Sequence, residues 1–233
     1  HGSVGSRSLF VGGNAILRGI EDFLEECKQL AASELEASVE DLEYHQGNFQ
    51  VKGTRVGIGI FDLCSRQSGN SISVKRKKEL TGRSWPNGCH VAEVEIDAET
   101  GEVRLDRYVS VDDVGNTVNP MIVHGQVQGG IASGLGQAVL ERTEYDASGQ
   151  LLSGSYMDYA LPRADDMPSL SGSLFEKAPC LTNPLGAKGT GEIGAVAGPP
   201  AIVHAVIDAL AEKGITQVDM PLQPQKIWEC LNR

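Results

Sequence analysis

LTNPLGAKGTGEIGAVAGPPAIVHAVIDAL, running from Leu181 to Leu210, is the stretch around which the rest of the chain is organised. Glycines stand at 186, 189, 191, 194 and 198, with a single acid, Glu192, among them. Pro199 and Pro200 follow and suit a first helical turn, where a missing N–H costs little. Ile202, Val203, Val206, Ile207 and Leu210 then recur at helical spacing. Gly214, after Lys213, is a suitable C-terminal stop. A glycine-rich loop entering a helix offers backbone N–H groups to an anion and lets the main chain approach a flat ligand closely. Glu192 is then a lone carboxylate in a tight, mostly apolar loop, suited to general-base work. The plainer alternative is a sharp turn carrying a solvated glutamate. No Gly-Lys-Ser/Thr occurs here, and no G-x-G-x-x-G follows a clear strand, so a Walker A loop is excluded and a dinucleotide fold disfavoured.

Two further glycine-rich stretches lie upstream. HGSVGSRSLFVGGNAILRGIEDFLEECKQLAASEL opens the chain, with Gly2, Gly5, Gly12 and Gly13 around the small hydroxyls of Ser3, Ser6 and Ser8. Ala15, Ile16, Ile20, Phe23, Leu24, Cys27 and Leu30 then mark a long amphipathic helix. NPMIVHGQVQGGIASGLGQAVL, from Asn119 to Leu140, repeats Ile122, Val123, Val127, Ile131, Leu135 and Val139 at helical spacing. Its five glycines at 125, 129, 130, 134 and 136 each weaken a helix by ~1 kcal/mol. Such a cost makes sense where small residues permit close packing or the approach of a cofactor. His124 has no partner at useful spacing and reads as structural.

Between these stretches the signal is mostly β. Cys89 to Val111 alternates into Ala98-Glu99-Thr100-Gly101 and out again through Val103, Leu105, Tyr108, Val109 and Val111, a hairpin. Asp112 and Asp113 read as a strand end, since neighbouring strand residues face opposite ways and make a poor metal pair. Leu42 to Val51 reads as a shorter hairpin around Gln46-Gly47-Asn48, preceded by a turn capped by Ser38, and His45 as its surface histidine. Val56 to Leu63 is ambiguous between strand and helix, KRKK at 75–78 is a solvated edge or loop, and Leu170 to Glu176 is a short strand. The expected fold class is α+β, with long helices at 13–33, 122–140, 200–212 and 222–231 packed on antiparallel hairpins, and two α+β lobes split near 115–120. Paired hairpins argue against a doubly wound parallel sheet.

Bulk properties narrow the function. The 233 residues carry a net charge of −11, which argues against nucleic acid and anionic membranes as partners. No apolar run approaches the ~20 residues that span a bilayer. Glycine, at 28 residues, exceeds the usual ~7% and is concentrated in the three stretches. The five cysteines, at 27, 64, 89, 180 and 230, form no C-x-x-C pair, so an iron–sulfur cluster or structural zinc is not expected, and reduced cytoplasmic thiols are.

Gly-Ala-Lys-Gly-Thr-Gly-Glu followed by Ala-Gly-Pro-Pro-Ala-Ile resembles the C-terminal part of the molybdopterin-binding large subunit of the xanthine oxidase, aldehyde oxidase and aerobic carbon monoxide dehydrogenase family of molybdenum hydroxylases. G-S-x-G-S-R-S with G-G-N-A resembles the same family's cofactor loop, and H-G-Q-V-x-G-G-I-x-x-G-L-G-Q-A its buried helix. The three motifs occur in the family's order, and the resemblance runs over essentially the whole chain. It implies the C-terminal half of a molybdenum-cofactor-binding domain, with Glu192 as active-site base. Gly5, Ser6, Ser8, Gln126, Lys188 and Gly191 are implied cofactor contacts, and no protein side chain ligates the molybdenum. Arg7 departs from the small residue some members carry. The cofactor implied is molybdenum–molybdopterin, in a plain or cytosine dinucleotide form. Iron–sulfur and FAD groups are expected on other subunits or domains. The implied reaction oxidises an aldehyde, an N-heterocycle or a similar carbon centre of a small-molecule substrate, with water as oxygen source. Beginning at His1 in mid-motif, the chain reads as a fragment or processed subunit, inert without the N-terminal half of the molybdenum subunit and the iron–sulfur and flavin subunits. The rivals are a non-catalytic cofactor-carrying or assembly module and, more remotely, a phosphate-binding enzyme.

Overall fold

The structure, a computed structural model, describes residues 2–77 and 82–232. Lys78, the last residue of the KRKK run, lies outside the described residues, whereas Lys75, Arg76 and Lys77 are exposed and irregular. The chain divides into two compact units, Val11–Thr81 and the combination of His1–Phe10 with Gly82–Arg233.

In the smaller unit the apolar stripe of α1 (Asn14–Glu34) buries Cys27, Ala31 and Ala32. Its core adds Leu42, Phe49, Ile58 and Leu63. Leu42 and Phe49 come from β1 (Leu42–His45) and β2 (Asn48–Val51), which form the expected hairpin, with Gln46 and Gly47 at positive φ in the turn. The ambiguous run after Val56 resolves into β3 (Gly57–Gly59), antiparallel to β2, and the short α2 (Ile60–Ser65).

The larger unit holds β4 (Asn87–Ile96) and β5 (Val103–Asp113), the expected long hairpin, and β6 (Leu170–Leu174), which adds to β5 in parallel. Strand alternation breaks at a bulge opposite Glu93 and Val94. Asp106 and Arg107 are both exposed there, so the inward positions pass from Val103 and Leu105 to Tyr108, Ser110 and Asp112. Val109 and Val111, which simple alternation would turn inward, stand exposed at 40% and 42%. One extra residue reverses the parity of the strand's second half.

α3 (Pro120–Leu135), prolonged by a π turn at Gly136–Leu140, crosses α4 (Ile193–Ala209) at very short range. A Cβ on Gly194 would stand 2.2 Å from the Val127 carbonyl oxygen, and one on Gly130 would stand 2.8 Å from the Gly194 Cα. Gly134 meets Gly198 and Pro199 in the same way. The two small-x-x-x-small ridges let the backbones touch, which explains glycines that weaken each helix alone. α4 begins seven residues before the helix expected at 200, so Pro199 and Pro200 lie inside it. They withdraw the N–H groups that would serve the carbonyls of Ala195 and Val196. Packing against α3 holds the turn helical despite this. A 3₁₀ turn follows α4 and is closed by Gly214 in the left-handed region, and α5 (Pro224–Leu231) buries Ile227 and Cys230.

Residues 115–120, where the sequence suggested a lobe boundary, lie inside this larger unit. Gly115 forms an antiparallel bridge with Ala187, and β5 and α3 on either side contribute Tyr108, Val127 and Ile131 to one core.

Candidate active site

The 183–192 loop is shaped before it reaches any ligand. Asn183 donates through Nδ2 to the Ala187 carbonyl, and Gly186 sits at φ +66°. The loop then runs beside Val114–Asn116: Lys188 N donates to Val114 O, and Asn116 N to Gly186 O. Gly115 and Gly186 approach so closely that a Cβ on Gly115 would stand 2.1 Å from the Gly186 carbonyl oxygen. This pairing delivers Lys188 to the end of β5, where its Nζ donates to Asp113 Oδ2 at 2.6 Å. The two side chains are only 10% and 11% exposed. Asp113 also accepts from the Gly115 N–H at 2.9 Å. Burial pushes the Asp113 carboxyl up, but the Lys188 hydrogen bond and charge with the Gly115 N–H outweigh it and hold the group below the usual carboxylate range.

The opening loop packs on this one. Gly5 has φ +61° and Ser6 φ +53°, an uncommon conformation for a residue with a side chain, of the kind that clusters at functional sites. It turns the Ser6 hydroxyl onto Glu192, which accepts through Oε2 at 2.7 Å. A Cβ on Gly189 would meet the Ser6 Cβ and carbonyl oxygen at 2.9 Å. Glu192 is the N-cap residue of α4 and is exposed, not enclosed by its own loop as the sequence suggested. The glycines open the loop instead of wrapping it around the carboxylate.

Two hollows flank the Ser6–Glu192 contact. The first, of about 470 Å³, is lined by Ser6, Ser8, Gln126, Lys188, Thr190 and Gly191, with Asn119 and Ile122 from the start of α3. Five of the six sequence-derived cofactor residues therefore meet in one cavity. A Cβ on Gly191 would make ordinary contacts there, 3.4 Å from Gln126 Oε1 and 3.5 Å from Ser6 Oγ. Leu9, Val118, Ile122 and Val123 make much of the wall apolar, and set in it are hydroxyls, two carboxamides, one ammonium and a bare backbone edge, which fits a flat ring system with oxygen and nitrogen atoms at its rim. The sixth residue, Gly5, belongs to the second hollow, of about 500 Å³, with Glu192, Ser84, Trp85, His90 and Val196. Ser84 Oγ also accepts from Gly189 N. His124 lines neither and lies beside Gly172 of β6.

Sequence reading missed the group behind the second hollow. His90 Nε2 pairs with Asp112 Oδ1 at 2.9 Å, and Nδ1 with the Tyr108 hydroxyl at 2.8 Å. Ser110 donates to the other Asp112 oxygen at 2.9 Å. Burial, then the Asp112 charge, push the Tyr108 phenol well above its ordinary value, so it stays protonated. With both ring nitrogens engaged, His90 fastens β4 to β5 and has no lone pair left to act as a base towards the hollow. The bulge that turns Ser110 and Asp112 inward was the missing signal.

Comparison with known proteins identifies the family and the fold. Residues 1–168 match the family described as "Molybdopterin cofactor-binding domain". The chain is 32% identical, over 97% of its length, to the 6-hydroxypseudooxynicotine dehydrogenase complex subunit gamma of Paenarthrobacter nicotinovorans. It is also 32% identical, over 99%, to the carbon monoxide dehydrogenase large chain of Hydrogenophaga pseudoflava. It spans 30% of each of those relatives. Among solved structures it superposes on Cu,Mo-CO dehydrogenase with a TM-score of 0.86 at 29% identity, covering 98% of this chain and 30% of that one. Quinoline 2-oxidoreductase from Pseudomonas putida 86 gives 0.82 at 34% identity, covering 100% and 31%. The chain belongs to the molybdopterin cofactor-binding domain family of the molybdenum hydroxylases.

Proposed function

We propose that the chain supplies one wall of a molybdenum hydroxylase active site, with Glu192 as the general base and Ser6, Ser8, Gln126, Lys188 and Gly191 as contacts to the pterin. The observation that carries this reading is the meeting, around one cavity, of residues from three separate glycine-rich stretches, with the Ser6 hydroxyl bound to Glu192 at its edge. The cofactor, molybdenum–molybdopterin in a plain or cytosine dinucleotide form, supplies a two-electron oxidation that takes its oxygen from water. The chain's own residues hold and orient that group and move one proton. The Ser6 hydroxyl, donating to Glu192 Oε2, fixes the carboxylate's rotamer so that its free oxygen, Oε1, faces the reacting atoms and accepts the proton. Gly5, on the Glu192 side, leaves room for the substrate in the second hollow.

The whole enzyme needs more than this chain. A relative named as a complex subunit, another named as a large chain, and a span of 30% of their length support partners that complete the pocket; on this reading those partners carry the iron–sulfur and FAD groups. The chain alone is inert on this reading. The substrate is a small molecule oxidised at an aldehyde, heteroaromatic or similar carbon. Five free cysteines suit a reducing cytoplasm. A phosphate site at the start of α4 is disfavoured by the exposed Glu192 carboxylate standing at that N-cap. Glu192→Gln in the assembled enzyme tests the reading. General-base loss costs about 10²–10⁴-fold in turnover, with cofactor content unchanged. Turnover near the wild-type rate would remove Glu192 from the mechanism.

A further inference from the structure

We propose that Asp113 is a positioning residue for the cofactor: it fixes the Lys188 ammonium at the wall of the hollow, so that Lys188 presents its remaining donors in one place. The inference rests on the cofactor reading of that hollow. Among the described residues lining it, Lys188 is the one that carries a charge. A lysine has a flexible four-carbon stem, and an ammonium about nine-tenths buried without a counter-charge turns towards water or loses its proton. Asp113 prevents both. Its carboxylate takes one of the three ammonium donors at 2.6 Å and is itself pinned by the Gly115 N–H at the rigid end of β5. The position of the ammonium is thus set by a strand and not by its loop. The pair is close to neutral, so Lys188 offers the ligand directed hydrogen bonds and little net charge. Asp112, one residue earlier, is committed to His90 and Ser110 and cannot take over this task.

The test compares wild type with Asp113→Asn, Asp113→Glu, Lys188→Met and the double variant Asp113→Asn/Lys188→Met, each in the full subunit assembled with its partners. The readouts are pterin and molybdenum per enzyme and the rate of cofactor release on dilution into chelator. Asp113→Asn and Lys188→Met should each release cofactor at least tenfold faster than wild type. The double variant should be no worse than Lys188→Met alone, and Asp113→Glu should recover most of the retention, which a merely structural role would not produce. If Asp113→Asn fails to assemble while the double variant assembles, the fault lies in a buried ammonium left without its partner, which also supports the proposal. If neither assembles, Asp113 acts independently of Lys188 and the proposal fails. Retention at the wild-type level in Asp113→Asn, with loss in Lys188→Met, overturns this inference alone. Wild-type retention in Lys188→Met overturns the cofactor reading beneath it.

Discussion

Asp112 and Asp113 are neighbours in sequence with separate tasks, because a strand turns successive side chains to opposite sides. Asp112 closes a buried network with His90, Ser110 and, through His90, Tyr108, while Asp113 holds Lys188. Reading them as a strand end was right about their place in β5 and silent about what each grips. Nothing in the local pattern marks the bulge at Asp106 that turns Asp112 inward, since Val109 and Val111 carry the more apolar alternation. The network makes a pH-dependent prediction through Tyr108. Its folded-state pKa is raised, so the stability contributed by the neutral phenol is fully present below the ordinary tyrosine value near 10 and is lost as pH rises above it. Tyr108→Phe leaves His90 Nδ1 without its hydroxyl and should cost about 1–3 kcal/mol at pH 8. The gap between wild type and variant, followed by urea midpoints, should narrow between about pH 10 and 11. A gap that stayed constant or widened over that range would show that the Tyr108 hydroxyl does not titrate in the environment described.

At the scale of elements, α3 and α4 are decided by each other. Their apolar periodicity and glycine spacing were legible in the sequence, as were α1, α5 and both hairpins. The start of α4 was not, because Pro199-Pro200 is a strong local signal for a first turn, and only the crossing with α3 extends the helix back to Ile193. The parallel addition of β6 to β5 was also hidden, since a five-residue strand carries no mark of its partner. The glycines sort into two kinds by what a side chain would meet. Gly125 and Gly129 face open space, so alanine there should stabilise the helix by about 0.4–1 kcal/mol through the unfolded chain. Gly194→Ala is the same chemical change, yet its Cβ would enter the Val127 carbonyl and should cost about 1–3 kcal/mol. Denaturant midpoints that moved in the same direction for all three would contradict the crossing.

For the whole molecule, the glycine-rich stretches marked where a ligand could approach, and the particular residues expected there came from their resemblance to one family. Ser6, Ser8, Gln126, Lys188 and Gly191 come together in the structure around one hollow. What could not be read was the partition into two hollows, with Gly5 and Glu192 on the second, because that depends on the left-handed turn at Gly5 and Ser6. No helix among the described residues is long and apolar enough to cross a membrane. The chain spans about 30% of its relatives' length, which makes the assembled enzyme the object to test. The most direct measurement is molybdenum and pterin content of this chain co-expressed with the remainder of its subunit and its partners, with Ser6→Ala, Gln126→Ala and Lys188→Met beside the wild type. Stoichiometric molybdenum and pterin in the wild type, falling in each of the three variants, is the result expected here. An assembly that forms normally and contains neither would contradict it, and would leave the three glycine-rich stretches as packing alone.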